Sequence, residues 1–223
     1  MLLDPTAWLL LILLGGLVAV DGTSVGQFMI SRPFVAAALA GWAVGDPIHG
    51  MVIGLVLEAF HLTVLPVGAA RYPEGGPAAV AGGAIYAVSD LAASTLLVTV
   101  LLVLLLEWVG GETIRLMRQG NIGLVAEERP GWKTAAALER RHLTAIGLDF
   151  ARGMLLVIAG ILLLWAGHRF VLPRWGMGED VPQVVLTALV AGLLASSVRL
   201  VGLRGWFAAA GAICGVGLLL FSI

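Results

Sequence analysis

Residues 31–77, SRPFVAAALAGWAVGDPIHGMVIGLVLEAFHLTVLPVGAARYPEGGP, decide the fold of this chain. The stretch is apolar enough for a membrane, yet prolines and glycines interrupt it and ionisable side chains are embedded in it. A charge in hydrocarbon is costly, so it is kept mainly where it faces a cavity or a partner. Short apolar segments broken by Gly and Pro, combined with embedded ionisable groups, therefore predict a transporter's substrate site. The ionisable residues are Arg32, Asp46, His49, Glu58, Arg71 and Glu74.

Composition places the chain among proteins that cross the membrane several times. Of its 223 residues, 60% are hydrophobic and 12% are charged, and the mean hydropathy is +1.01. A soluble domain is charged at about a quarter of its residues. We therefore predict an all-α polytopic membrane protein. The net charge of −1, without a basic stripe, argues against a nucleic-acid partner.

The sequence predicts neither a metal site nor a cofactor. Cys214 is the single cysteine, which excludes an intramolecular disulfide and a cysteine metal cluster. His49 and His61 lack a metal-ligand spacing with other candidate ligands.

The N-terminal half is predicted to contain broken helices. Residues 6–20 are about long enough for a short span, and residues 34–44 cover roughly two thirds of a crossing. Gly45-Asp46-Pro47 then stops the helix, and residues 48–65 form a better span that ends at Pro66. We therefore expect Gly/Pro-broken re-entrant hairpins in this half.

Glycines stand at small-xxx-small spacing in these segments, at Gly41/Gly45 and Gly50/Gly54. This spacing predicts close helix–helix approach. A role in packing alone and a role at the substrate site both fit.

Residues 78–106 are apolar for longer than one crossing needs. They form either one long tilted helix or a small-residue half-helix followed by a Leu-rich span. In the second case Asp90 is expected to cap the Leu-rich span.

The single membrane-embedded domain divides into three parts: a substrate half (1–106), a polar loop (107–150) and a set of three C-terminal spans (151–223). The polar part is basic, which predicts that it is cytoplasmic. Its segment TAAALERRHLTAIGLDFARG (134–153) has helical spacing and is expected to lie along the membrane surface.

The C-terminal spans are predicted near residues 153–171, 181–198 and 205–222. No Lys or Arg precedes residue 32, which favours an N-terminus outside the cell.

Glu58 lies within residues 31–77 in the apolar segment GLVLEAFHL, surrounded by leucine and valine. An ionised carboxylate there needs a partner, and Arg32 and Arg71 are the candidates. Glu58 either binds sugar hydroxyls or carries a proton, or it anchors a re-entrant loop. Arg32, before Pro33, is expected to be structural.

The segment PVGAARYPEGG (66–76) has the chemistry of a ligand loop. Small residues such as Gly68 and Ala69 let backbone approach a ligand, while Arg71, Tyr72 and Glu74 supply a cation, a ring and an acceptor. These groups suit a carbohydrate, although a turn without a ligand explains the glycines and Pro73 equally well.

Several motifs together resemble the membrane subunit IIC of mannose/fructose/sorbose-family phosphotransferase systems. The likeness is ordered along residues 15–85. It rests on QFMISRP (27–33), Gly45-Asp46-Pro47 with Gly50, Ile53-Gly54, Leu57-Glu58 and PVGAARYPE (66–74).

The resemblance implies a subunit that translocates a hexose across the bacterial plasma membrane and is itself no enzyme. Such a subunit pairs with a second membrane subunit, IID, in an oligomer for which trimeric organisation is expected. It moves sugar by an elevator-like motion of a core built from re-entrant hairpins. Cytoplasmic IIA and IIB subunits relay phosphate, and IIB phosphorylates the sugar.

The resemblance also assigns residues. Gln27, Glu58 and Glu74 are the leading sugar contacts, followed by Asp46, Arg71 and the backbone at Gly68 and Ala69. The structural positions are Arg32, Pro33, Gly45, Gly50, Gly54, Pro66 and Pro73. Pro66 and Met29 stand where the better-known mannose transporters have Asn and Gln, so the sugar is not identified.

The sequence also fits two other functions. The chain is alternatively a non-transporting scaffold or sensor that recruits soluble phosphotransferase proteins, or an ion-coupled transporter that uses Glu58 or Asp46 as its proton carrier. Embedded polar hairpins favour transport, because a scaffold has no need of costly charges in the bilayer.

Overall fold

A computed structural model describes residues 3–62, 72–126, 134–176 and 178–200. These residues form helices joined by short connections, with no strand among them. The helices are α1 (Pro5–Thr23), α2 (Pro33–Ala43), α3 (Pro47–His61), α4 (Gly75–Ala87), α5 (Ala93–Ala126), α6 (Ala135–Phe170), a 3-10 turn (Leu172–Arg174) and α7 (Asp180–Leu200).

Three of the described helices are long and apolar enough to cross a membrane: Pro5–Thr23, Ala93–Leu124 and Ala135–Arg174. Their outward faces carry exposed large apolar side chains, such as Leu101, Leu155 and Leu162. So much exposed apolar surface is unfavourable in water and suits contact with lipid. The prediction of an all-α membrane fold is confirmed in this form.

Helix α6 runs antiparallel to both α1 and α5, and we call these three helices the antiparallel frame. Gly15 and Gly153 bring α1 and α6 together: a Cβ added at Gly15 would lie 2.9 Å from the Gly153 carbonyl oxygen. Along α5, Leu106 packs against Gly160 and Leu102 against Gly167, so α5 and α6 run in opposite directions.

Helix α4 occupies the centre of the molecule. Residues 75–86 are all buried, and most are Gly or Ala. A helix that is apolar all round is stable only when it is surrounded. Here α1, α2, α3, α5 and α6 all contact it.

Helices α2 and α3 pack as a tight antiparallel hairpin. A Cβ at Gly50 would lie 2.6 Å from the Ala37 carbonyl oxygen, and one at Gly54 would lie 2.7 Å from that of Pro33. The packing role predicted for Gly45 is wrong, because a Cβ added there would meet nothing within 4 Å. Gly45 instead lies at the hairpin tip with a φ of +93°, a conformation that favours glycine.

The hairpin arms are too short to cross a bilayer core of about 30 Å. At 1.5 Å per residue, α2 spans about 17 Å and α3 about 23 Å. The chain enters and leaves the hairpin at the same end, at Arg32 and His61. That this hairpin is re-entrant within the membrane stays a prediction.

Of the two arrangements predicted for residues 78–106, the structure has the one with two helices. α4 ends at Ala87 and α5 begins at Ala93. Asp90 Oδ1 accepts hydrogen bonds from the Ala92 backbone N–H at 3.2 Å and from Thr95 Oγ1 at 2.7 Å. Asp90 therefore stabilises the start of α5, as its predicted capping role requires.

The polar part, residues 107–150, is not a loop over most of its length. α5 continues to Ala126, and α6 begins at Ala135 behind Thr134, whose side chain accepts from the Ala137 N–H. The segment 134–153 is likewise continuous with α6 rather than a separate surface helix. With 34 and 36 residues, α5 and α6 are about 51 and 54 Å long, so both extend well beyond a bilayer core.

Helix α7 contains the second predicted C-terminal span, and the third, residues 205–222, lies outside the described residues. α7 packs against α3 and α5. Glu179, just before it, accepts hydrogen bonds from the backbone N–H of Ser94 at 2.9 Å and from its hydroxyl at 2.6 Å. Both bonds with Ser94 hold the pKa of the Glu179 carboxyl below its usual range.

Candidate functional site

A cavity of about 130 Å³ lies where the base of the α2–α3 hairpin meets the N-terminus of α4. We call it the hairpin-base cavity. Its wall combines a cation, an imidazole, a phenol ring and a carboxylate with small residues. The lining residues are Val18, Gly22, Ser31, Arg32, Pro33, His61, Tyr72, Pro73, Glu74, Gly75, Gly76 and Pro77.

Arg32 and Glu58 join the two arms of the hairpin beside this cavity. The Arg32 Nη2 group donates to Glu58 Oε1, and Glu58 Oε2 lies 3.5 Å from the backbone nitrogen of Phe34 in the first turn of α2. Both side chains are partly exposed. Of the two predicted partners, Arg32 pairs with Glu58, and Arg71 lies outside the described residues. The pair gives Glu58 an anchoring role beside the cavity.

Asp21, which was not predicted as a functional residue, stabilises the turn between α1 and α2. This buried carboxylate accepts hydrogen bonds from the backbone N–H groups of Phe28 at 2.5 Å and of Ser31 at 2.9 Å. Ser31 and Arg32, which line the cavity, are positioned by this turn. The available signal was an acidic residue at the end of an otherwise apolar segment.

Glu74 belongs to a buried polar network centred on Arg152. Arg152 Nη2 donates to Glu74 Oε1 at 2.7 Å, and Nη1 donates to the other carboxylate oxygen. Nη2 and Nε donate to Asp149 Oδ1, at 2.7 and 3.0 Å. The side chains of Glu74, Arg152 and Asp149 are only 8%, 11% and 0% exposed.

Three hydroxyl groups form further hydrogen bonds with Arg152 and Asp149. Arg152 Nη1 lies 3.1 Å from Thr113 Oγ1 on α5. Asp149 Oδ2 accepts from Ser24 Oγ at 2.5 Å and from the Thr23 hydroxyl at the end of α1. Two carboxylates thus share one guanidinium, and the hydroxyls complete the shell that burial of charge requires.

A second pair, His61 with Glu107, closes the cavity on the α5 side. His61 Nε2 lies 3.0 Å from Glu107 Oε1, and the Glu107 carboxylate is buried. The Glu74 backbone N–H donates to the Glu107 carbonyl oxygen at 3.0 Å. The end of α3, the start of α4 and the middle of α5 therefore meet at one point.

Tyr72 lines the same cavity, and its ring is held by Arg118 of α5. The Arg118 guanidinium carbon lies 5.7 Å from the ring centroid, and Nη2 lies 3.4 Å from the phenol oxygen. A cation at this distance attracts the ring face. The close approach also needs glycine at position 111, because a Cβ there would overlap the Tyr72 carbonyl.

The predicted sugar-contact residues do not all converge here. Glu74 lines the cavity and Glu58 adjoins it, whereas Gln27 is exposed on the α1–α2 connection with φ +54°. Asp46 caps α3, accepting from the His49 N–H at 3.1 Å, about 18 Å along that helix from Glu58. Pro66, Gly68, Ala69 and Arg71 lie outside the described residues.

The described residues contain no group of three or more His, Cys, Asp or Glu side chains arranged to hold a metal ion. The hairpin-base cavity offers the N–H donors of Arg32, an acceptor on Glu74 and the ring of Tyr72. The His61 Nε2–H already donates to the Glu107 carboxylate. Such a set of groups can orient a small polar molecule.

Comparison with known proteins agrees with this architecture. The family model described as "PTS system sorbose-specific iic component" matches residues 6–192. The "PTS system sorbose-specific EIIC component" of Lacticaseibacillus casei is 32% identical over 69 residues, which are 31% of this chain and 25% of that protein. A solved structure described as "Structure of membrane protein" covers 98% of this chain and 95% of its own, with a TM-score of 0.70 at 17% identity, a likeness of fold.

Proposed function

We propose that this chain, which belongs to the sorbose-specific IIC component family of the phosphotransferase system, is the sugar-translocating membrane subunit of such a system. It moves a hexose inward, and a partner IIB subunit phosphorylates that hexose. The family resemblance predicted from residues 15–85 is confirmed by the match over residues 6–192.

The hairpin-base cavity is the observation that carries this proposal. It lies inside a helical membrane fold, and its donors, acceptor and aromatic face are the groups that a sugar needs. A sugar presents hydroxyls that both donate and accept, together with apolar C–H faces that pack on a ring such as Tyr72. Glu74 supports this role because its position is fixed by Arg152 before any ligand arrives.

Glu58 and Arg32 have two tasks in this account. Their ion pair holds the base of the hairpin closed, and the free acceptor capacity of the carboxylate serves a sugar hydroxyl. The hairpin and α4 act as re-entrant elements that move with the sugar. Gln27, Asp46, Gly68, Ala69 and Arg71 remain proposed contacts in other stages of this movement.

The proposed partners follow from family membership. The chain pairs with a IID membrane subunit in an oligomer of trimeric organisation in the bacterial plasma membrane. Phosphoryl transfer takes place on cytoplasmic IIA and IIB subunits, so this chain needs no phosphoryl-carrying residue.

Reconstitution tests this function. Membrane vesicles containing this chain and its IID partner are supplied with labelled hexoses, with and without IIB and a phosphate donor. We expect phosphorylated hexose to accumulate only with the full set. Uptake that is abolished by an uncoupler and indifferent to phosphoenolpyruvate would indicate an ion-coupled transporter instead, and an assembled complex that moves no sugar would indicate a scaffold or sensor.

A further inference from the structure

A second polar pocket, of about 300 Å³, lies at the opposite end of the bundle from the α5–α6 turn. We call it the α4–α5 pocket, because the connection between those helices forms one wall and the end of α6 forms the other. Its lining residues are Ile85, Val88, Ser89, Asp90, Thr95, Trp165, His168, Arg169 and Leu172. None of them belongs to the hairpin-base cavity.

Two buried threonines hold the polar side chains of this pocket in place. Thr95, only 1% exposed, donates its hydroxyl to Asp90 Oδ1 at 2.7 Å. Thr99, 0% exposed, lies 2.8 Å from His168 Nε2. Because buried hydroxyls are costly unless bonded, these contacts fix both Asp90 and His168 at the rim.

The hydrogen-bond directions show which atoms remain for a ligand. The Thr99 hydroxyl donates to the Thr95 carbonyl at 2.7 Å, so it accepts from His168 Nε2–H, and the neutral imidazole keeps Nδ1 as an acceptor. Both bonds to Asp90 use Oδ1, so Oδ2 has no hydrogen-bond partner among the described residues. The Thr95 hydroxyl also lowers the pKa of the Asp90 carboxyl, which is therefore ionised at neutral pH.

The other wall supplies a donor and an aromatic face. Arg169 has no hydrogen-bond or ion-pair partner among the described residues, and Trp165 is 45% exposed. The pocket thus offers two acceptors, a five-donor guanidinium and an indole surface. This set fits a neutral polyol, whereas the Asp90 carboxylate opposes the phosphate of a lipid headgroup.

We propose that the α4–α5 pocket is a receiving site for sugar on the outer face of the protein, separate from the hairpin-base cavity. The inference rests on the proposed function, in which sugar moves inward. If the end of the bundle at the α5–α6 turn is cytoplasmic, the opposite end, where this pocket lies, faces the outside of the cell. A sugar held here waits at the end of α4, whose N-terminus borders the other cavity.

Cysteine protection tests this site in the assembled complex. In a Cys214→Ala background, Ser89→Cys places a thiol in the pocket, and Gly176→Cys places one on the same face where an added Cβ meets nothing within 4 Å. Intact cells are treated with a membrane-impermeant maleimide in a concentration series of sorbose, fructose, mannose, glucose or inorganic phosphate. We expect at least one sugar to slow labelling at position 89 and none to slow it at position 176.

Each other result overturns the proposal. Equal labelling at position 89 with and without every sugar would show an empty pocket, and protection by phosphate alone would show an anion or headgroup site. Labelling only after permeabilisation would place the pocket on the wrong face. Repeating the assay in Glu58→Gln separates the two sites, because protection should persist there even when uptake is lost.

Discussion

Arg152 joins three parts of the molecule through one guanidinium. It binds Glu74 before α4, Asp149 on its own helix and Thr113 on α5. A buried cation with this many partners is difficult to replace, because its removal leaves two carboxylates without compensation.

We predict that Arg152→Met lowers the free energy of unfolding by about 3–5 kcal/mol, because Glu74 and Asp149 stay buried without a cation. Thermal unfolding of the purified protein in detergent measures the change. Arg115→Met is the matched control: Arg115 is 45% exposed and pairs with Glu112 on the same helix, so its loss should cost less than about 1 kcal/mol. Equal stability of the two variants would contradict a structural role for the network around Arg152.

Among single residues, the sequence predicted that Arg32 or Arg71 pairs with Glu58, because all three stand in one embedded stretch, and Arg32 forms the pair. It missed Arg152 as the partner of Glu74. Arg152 lies 78 positions from Glu74, in the segment 134–153 that was expected to lie along the membrane surface. A signal existed, because Asp149 and Arg152 are spaced i,i+3 on one helix face directly before an apolar run. Only the packing of α6 against α4 shows what that pair binds.

The α2–α3 hairpin depends on glycine at its crossing. Gly41 and Gly50 lie face to face, and a Cβ at Gly41 would lie 3.0 Å from the Gly50 Cα. The neighbouring backbone has no flexible end that could move aside, so an added methyl group separates the arms.

We predict that Gly50→Ala destabilises the protein by about 1–3 kcal/mol through this overpacking. Gly147→Ala on α6 is the control, because its Cβ meets nothing within 4 Å. There the better helix propensity of alanine should be neutral or stabilising by up to about 1 kcal/mol. Melting temperatures in detergent compare the two variants, and a Gly50→Ala protein as stable as wild type would contradict the packing.

Element boundaries followed from the sequence where a local stop signal exists. Gly45-Asp46-Pro47 separated α2 from α3. Asp90 marked the start of α5 in one of the two arrangements that the sequence left open. The extension of α5 was not predicted, because its polar composition was interpreted as a loop. The helical spacing of residues 134–153 was recognised, but not that this segment is the first part of α6. The Gly45 prediction erred because small-residue spacing cannot distinguish packing from a positive φ.

The antiparallel frame fixes which ends of the molecule lie together. Thr23 at the end of α1 contacts Asp149, so the N-terminus of α1 lies at the other end of the bundle from the α5–α6 turn. His168 contacts Thr99 at that other end. An experiment that shows which side of the membrane one end of the frame faces therefore gives the orientation of all three helices.

We predict that the α5–α6 turn is cytoplasmic and the end of α6 is outside, as the positive-inside rule requires. In a Cys214→Ala background, an impermeant maleimide applied to intact cells should label Gly176→Cys and leave Thr134→Cys unlabelled until the cells are permeabilised. Labelling of Thr134→Cys in intact cells would reverse the orientation.

The sequence correctly predicted a helical membrane protein and its family. Composition indicated the membrane, and the ordered motifs of residues 15–85 indicated the family. The arrangement of two separate polar pockets was not predictable, because each pocket gathers residues from distant helices. Arg32 and Glu58 meet within one short hairpin, whereas Asp90 and His168 are brought together by the packing of α6 against the start of α5.

Uptake of labelled hexose by Glu58→Gln, in vesicles containing IID, IIB and a phosphate donor, tests the central claim most directly. The variant removes the charge beside the hairpin-base cavity, and Glu139→Gln makes the same change at an exposed position on α6. Because a hydrogen bond to a charged group contributes about 1.5–3 kcal/mol, we expect uptake by Glu58→Gln to weaken by about ten-fold or more while the complex stays assembled. Glu139→Gln should transport as wild type does. Normal uptake by Glu58→Gln would contradict the assignment of this cavity as the sugar site.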